Sequence, residues 1–262
     1  MADGPAPAAP PTAPREQRWR GVLLALAAFV FLPQAFAFQA ALPVAETMLL
    51  LVPVLAVCFL LGWWQGGRFW LALLWAAAAV AGVVLPAREA GGMTAYGDLA
   101  RSWALLSAGT FGVVSLVAPR KPFFPRALSA IGLALLLGMM VLLVSGKSPQ
   151  QVQAVYAEQI QARNRENAAA LRTQLDALER QKVIEPGPTD TFLRELADES
   201  VRQAEAIGRV AAEAFPALLA LETLAALALA WALYHRLSRT RIGPALSPLR
   251  DFRFNDQMVW GF

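Results

Sequence analysis

The chain has 262 residues, 57% of them hydrophobic and only 16% charged, with 23 basic against 19 acidic side chains. Water-soluble domains carry roughly a quarter charged residues, so a soluble chain of this kind would expose much of its apolar excess; a bilayer removes that problem. A single cysteine, Cys58, excludes an intramolecular disulfide, and a single histidine, His235, excludes chemistry that needs a His pair.

Residues 1–20 begin with an Ala- and Pro-rich stretch through Pro14 that has neither a basic start nor an apolar core. It is expected to be a disordered cytoplasmic tail rather than a cleavable leader. The first expected span, about 21–38, follows Arg15, Arg18 and Arg20 and contains no charge. After a short break holding Pro43, the second is expected over about 47–64, and the third over about 69–85 beyond the turn Gln65-Gly66-Gly67-Arg68. A Gly-rich loop over about 86–98 leads to a fourth span at about 102–118, and the basic turn Pro119-Arg120-Lys121-Pro122 to a fifth at about 127–144. A sixth, about 214–234, comes after a long polar insert. Runs of this length cross a hydrocarbon core of about 30 Å at about 1.5 Å per residue. Only helices cross with runs of this length, because every backbone group must be paired internally.

The expected fold is therefore an all-α polytopic membrane helix bundle of about six spanning helices. Five lie in 21–145, an extracytoplasmic helical hairpin fills 146–213, the sixth occupies 214–235, and a basic, aromatic cytoplasmic segment covers 236–262. With the N-terminus inside, the short inner segments hold Arg15, Arg18, Arg20, Arg68, Arg120, Lys121, Arg126, Arg236, Arg239 and Arg241, and the short outer loops only Arg88 and Arg101. That bias satisfies the positive-inside rule. Trp63, Trp64, Trp70 and Trp103 fall near span ends, where amphipathic rings suit the headgroup layer.

In the insert, Ser148-Pro149-Gln150-Gln151 has the form of a capping box with proline at the first helical position. The helix it starts is expected to reach Lys182; Glu185-Pro186-Gly187-Pro188 breaks it, and a second helix starts near Thr189 or Asp190 and runs toward the sixth span. Acids and bases are nearly balanced in this hairpin, so it is no electrostatic patch for nucleic acid. Two readings stay open: a solvated helical pair, or a docking surface for another protein.

The sequence carries no phosphate-cradling Gly loop, metal-ligand cluster or Ser-His-acid set, so it reads as a non-enzyme without a cofactor. The most informative residue is Glu222, about eight residues inside the sixth span. A lipid-facing carboxylate there costs about 2.5 kcal/mol or more, so it is expected to face the bundle interior. Gln34, Gln39, Glu46 and Arg101, with Ser102 and Ser107, are expected near the same outer end, where they would line a polar cup around Glu222. The alternative is a packing role satisfied by one hydrogen bond. Small residues at four-residue spacing, Ala130, Ala134 and Gly138 and then Ala226 and Ala230, suit close helix packing in lipid.

After the sixth span and a basic turn comes the string DFRFNDQMVWGF, ending at Phe262. With the repeated spans and the polar helical insert, it resembles the YybS-like membrane proteins, an uncharacterised bacterial family. The resemblance implies a bacterial cytoplasmic membrane and no particular reaction. It also implies further spans after the motif, so the last residues are expected to be either the start of a missing helix or an interfacial anchor built on Phe252, Phe254, Trp260 and Phe262. More distantly, the chain resembles substrate-binding subunits of energy-coupling-factor transporters, which are small helical bundles with an outward-facing site. Two functions follow as expectations: a small-molecule-binding or transport-type subunit using the cup, or a membrane scaffold or assembly protein acting through the hairpin. The expected partners are the lipid bilayer and other membrane protein subunits, not nucleic acid.

Overall fold

A computed structural model describes residues 18–34, 42–44, 46–84, 95–180 and 188–246, and among them the chain is all-helical with no strand. The helices are α1 (Arg18–Phe31), extended by a 3-10 turn (Leu32–Gln34), α2 (Thr47–Trp64), α3 (Phe69–Val84), α4 (Ala95–Val117), α5 (Phe123–Val144), α6 (Pro149–Arg180), α7 (Pro188–Glu213) and α8 (Phe215–Leu237). Four of them, α2, α4, α5 and α8, are long and apolar enough to cross a membrane. α1 and α3 are apolar but shorter, 14 and 16 residues, or about 21 and 24 Å at 1.5 Å per residue.

Helix α2 is the axis of the bundle, packed against α3, α4 and α8, while α5 leans on α4 and α8. It carries no charged residue, so burial on most sides strands no ion. The small-residue stripes go into the bundle: Ala130 and Ala134 on α5 and Ala226 and Ala230 on α8 are all buried, and Gly138 is half-buried. Gly62 of α2 is needed for the same reason, since a Cβ there would collide with the Tyr234 hydroxyl of α8. Around this core the bundle exposes a belt of large apolar side chains, among them Leu74, Val80, Val113, Leu136, Val141 and Leu221. Such a belt is unsupportable in water and ordinary in lipid.

Several boundaries differ from the sequence expectation. α1 ends at Phe31 because Pro33 disfavours helical geometry at the residue before it; residues 35–38 of the expected span lie outside the described residues. α4 starts at Ala95, well before the expected 102. Asp98 complements its N-terminal dipole, and the Tyr96 hydroxyl ties the first turn to the Pro43 carbonyl at 2.5 Å. α5 starts at Phe123, with Pro125 tolerated where first-turn N–H groups have no helical partner. Trp103 is not interfacial: it is buried, its indole N–H donating to Thr223 Oγ1 at 2.9 Å.

The capping box forms in both directions. Ser148 N–H donates to Gln151 Oε1 at 2.9 Å, and Gln151 N–H to Ser148 Oγ at 3.3 Å. Ser148→Ala should therefore cost about 1 kcal/mol and speed amide exchange in the first turn of α6; unchanged exchange at Gln151 would mean that the cap carries no stability. α6 and α7 pair along their length as a hairpin, and a one-residue break at Ala214 separates α7 from α8.

At the end opposite the hairpin, the chain after α8 folds back under the bundle. Trp231 Nε1 donates to the Pro244 carbonyl at 3.1 Å, and the Tyr234 hydroxyl to the Thr240 carbonyl at 2.7 Å. Arg126, fully buried on α5, donates to the carbonyls of Pro119 at 2.7 Å, Lys121 at 2.8 Å and Ile242 at 3.5 Å, and lies 4.7 Å from the Trp231 ring centre. It is consumed as an internal clamp rather than spent as a surface charge. Gly243 leaves room for it, since a Cβ there would come within 2.7 Å of the guanidinium.

Candidate functional site

Glu222 is 5% exposed, between two turns of apolar residues on α8. Its Oε2 accepts the Val44 backbone N–H at 3.0 Å, while Oε1 is buried without a hydrogen-bond partner. The peptide that ends the α1–α2 connection is thus held against α8. Around it, Trp103 bonds Thr223, and the Thr223 hydroxyl donates to the Leu219 carbonyl at 2.7 Å, the helical back-bond that lets a hydroxyl sit in an apolar span.

The site is closed by the base of the hairpin. Tyr156, Ile160 and Asn164 of α6 are buried at one-turn spacing on a single face, and the Tyr156 ring packs on Phe215 with centres 4.4 Å apart. Gln153 fastens α6 to α7 by donating to the Ala212 carbonyl at 2.7 Å. Burial pushes the Tyr156 phenol above its ordinary pKa, with Arg163 opposing the shift. Arg163, from the same face of α6, lies 5.4 Å from the Tyr96 ring centre and is the cation in electrostatic reach of Glu222.

The expected cup is therefore only partly assembled. Glu222 faces the interior as expected. Arg101 does not join it, pairing with Asp98 one turn away on α4 at 3.8 Å. Glu46 is exposed at the start of α2, its carbonyl receiving the Leu49 N–H. Ser107 is buried but turned back onto the Ala104 carbonyl of its own helix. Gln34 ends the 3-10 turn, with its side chain outside the description, and Gln39 lies outside the described residues. The missed residue is Arg163. Its signal was the register Val152, Tyr156, Ile160, Asn164, which marks α6 as docked, with Arg163 on the edge of that face.

No group of three His, Cys, Asp or Glu that would hold a metal occurs among the described residues, and Cys58 is buried and free. The polar centre thus brings a buried carboxylate, Glu222, near the Arg163 guanidinium and the Tyr96 and Tyr156 phenols. Compared with family models, curated proteins and solved structures, the chain matches none of them.

Proposed function

We propose that this chain is a multi-pass protein of a bacterial cytoplasmic membrane that works as a scaffold or assembly factor, with the hairpin on the outer side as its docking element. The observation that carries this reading is on α7. Phe192 and Leu196 are 62% and 53% exposed, on the side of the hairpin not covered by α6. They lie 23 and 19 residues before Phe215, or about 28–35 Å along the helix, too far for the hydrocarbon of a bilayer that holds α8 to cover them. Ile207 and Val210 continue the exposed apolar face toward α8. The firm seat of α6 on the bundle supports the same role, since a docking arm needs a fixed base. The inside-positive orientation rests on Arg18, Arg20, Arg68, Arg120, Lys121, Arg236, Arg239 and Arg241 at the end opposite the hairpin.

The test is cross-linking and co-purification from native membranes. Phe192→Ser with Leu196→Ser should lower partner recovery about tenfold, the loss expected of about 1.4 kcal/mol, while the melting temperature changes little because both side chains are mostly exposed. Full recovery in that double variant would refute the docking role.

A second reading, small-molecule binding at Glu222, is favoured by the unpartnered Oε1. Under that reading a ligand raises the melting temperature of the wild type and not of Glu222→Ala.

A further inference from the structure

A groove of about 350 Å³ opens on the side of the bundle where α1, α2 and α3 meet at their hairpin ends. It runs down the first two turns of α2, from Glu46 at its mouth to Pro53 at its far end, about 10 Å at helical rise. Val30, Val52 and Val83 are among its walls, so below the mouth it is apolar. The mouth is acidic, because the exposed Glu46 carboxylate stands there. Pro53 sits inside helix α2 and has no N–H, so Leu49, also on the groove wall, lacks the helical donor for its carbonyl. The groove thus combines a negative charge at its mouth with an apolar channel of the size that binds small ligands.

We propose that this groove is a lipid site, taking the acyl chain of a phospholipid whose headgroup carries a primary amine. The inference rests on the reading of α1, α2 and α3 as membrane-embedded. The polarity order matches such a lipid: the charged mouth lies at the helix ends and the apolar channel deeper in the bundle. An ammonium headgroup donates to Glu46 as a charge-assisted hydrogen bond, whereas the carboxylate repels a net anionic headgroup. Gly82 lines the same channel, and a Cβ there meets nothing within 4 Å, so the groove wall accepts a larger side chain at that position.

The experiment is native mass spectrometry of the whole chain, purified in detergent and offered phosphatidylethanolamine and phosphatidylglycerol in separate titrations. The wild type is expected to retain phosphatidylethanolamine about tenfold more strongly. Gly82→Leu should abolish that retention at an unchanged melting temperature. Glu46→Gln, a change at an exposed position that leaves packing untouched, should bring phosphatidylethanolamine down to the level of phosphatidylglycerol. Equal retention of the two lipids by the wild type, or an unchanged preference in Glu46→Gln, would overturn the proposal. If the membrane reading itself fails, the signature differs: the chain is released from membranes by alkaline carbonate without detergent.

Discussion

Arg126→Leu should destabilise the purified protein by about 3 kcal/mol, and the damage should start at the end of the bundle away from the hairpin. The guanidinium is the donor for carbonyls of two separate chain segments, Pro119 and Lys121 in the α4–α5 turn and Ile242 beyond α8. Leucine has similar bulk but no donor, and each buried carbonyl left unpaired costs about 1–3 kcal/mol, less where water can reach it. The contact with the Trp231 ring is lost as well. Arg126→Lys keeps the charge but not the planar fork, so an intermediate loss is expected. Thermal unfolding in detergent reads the total. Trypsin reads the location, because Arg239 and Arg241 lie in the segment that the clamp holds and should be cut faster in the leucine variant. A leucine variant that melts with the wild type and resists trypsin equally would mean that these carbonyls have other donors.

At the opposite end, Glu222→Ala should cost about 2–3 kcal/mol, while Glu222→Gln should stay within about 1 kcal/mol of the wild type. Alanine removes the acceptor of the buried Val44 N–H and the negative charge that Arg163 acts on. Glutamine still offers a carbonyl to Val44. The pair Glu222 and Arg163 should therefore be coupled: Arg163→Ala on the Glu222→Ala background should cost less than on the wild type, by about 0.5–3 kcal/mol, as for residues sharing one polar network. Strict additivity would show that the hairpin base and α8 do not communicate through this charge, and α6 would then lack this part of its seat.

Much of this architecture is legible in the residues. α2 ends where expected because Gly66, in a left-handed conformation at φ 90°, follows its paired tryptophans and closes the turn. The capping box at Ser148 and the alanine stripes translate directly into hydrogen bonds and buried contacts, since each is a local pattern with one physical solution. The polar centre is less legible. Arg101 and Arg163 both lie near the same end of the bundle, and composition cannot tell which one reaches Glu222. That choice depends on rotation about each helix axis: α4 turns Ala100 and Ala104 inward and leaves Arg101 on the flank beside Asp98, whereas α6 lays its Tyr156 and Asn164 face on the bundle. Trp103 misleads for a related reason. An indole near a span end suits the headgroup layer, but a buried hydroxyl such as Thr223 is an equally good partner for its N–H.

The bond between Val44 and Glu222 joins residues 178 apart in the sequence. At a synthesis rate of about 5–20 residues per second, about 10–35 s pass between the emergence of the two partners from the ribosome. Throughout that interval α2, the axis of the finished bundle, lacks α8, the last helix to pack on it, and the hairpin is made before Phe215, against which its Tyr156 packs. Biogenesis must therefore keep the early helices from settling on a substitute for α8. An insertase or a foldase that shelters α2 until translation is nearly over would meet that need.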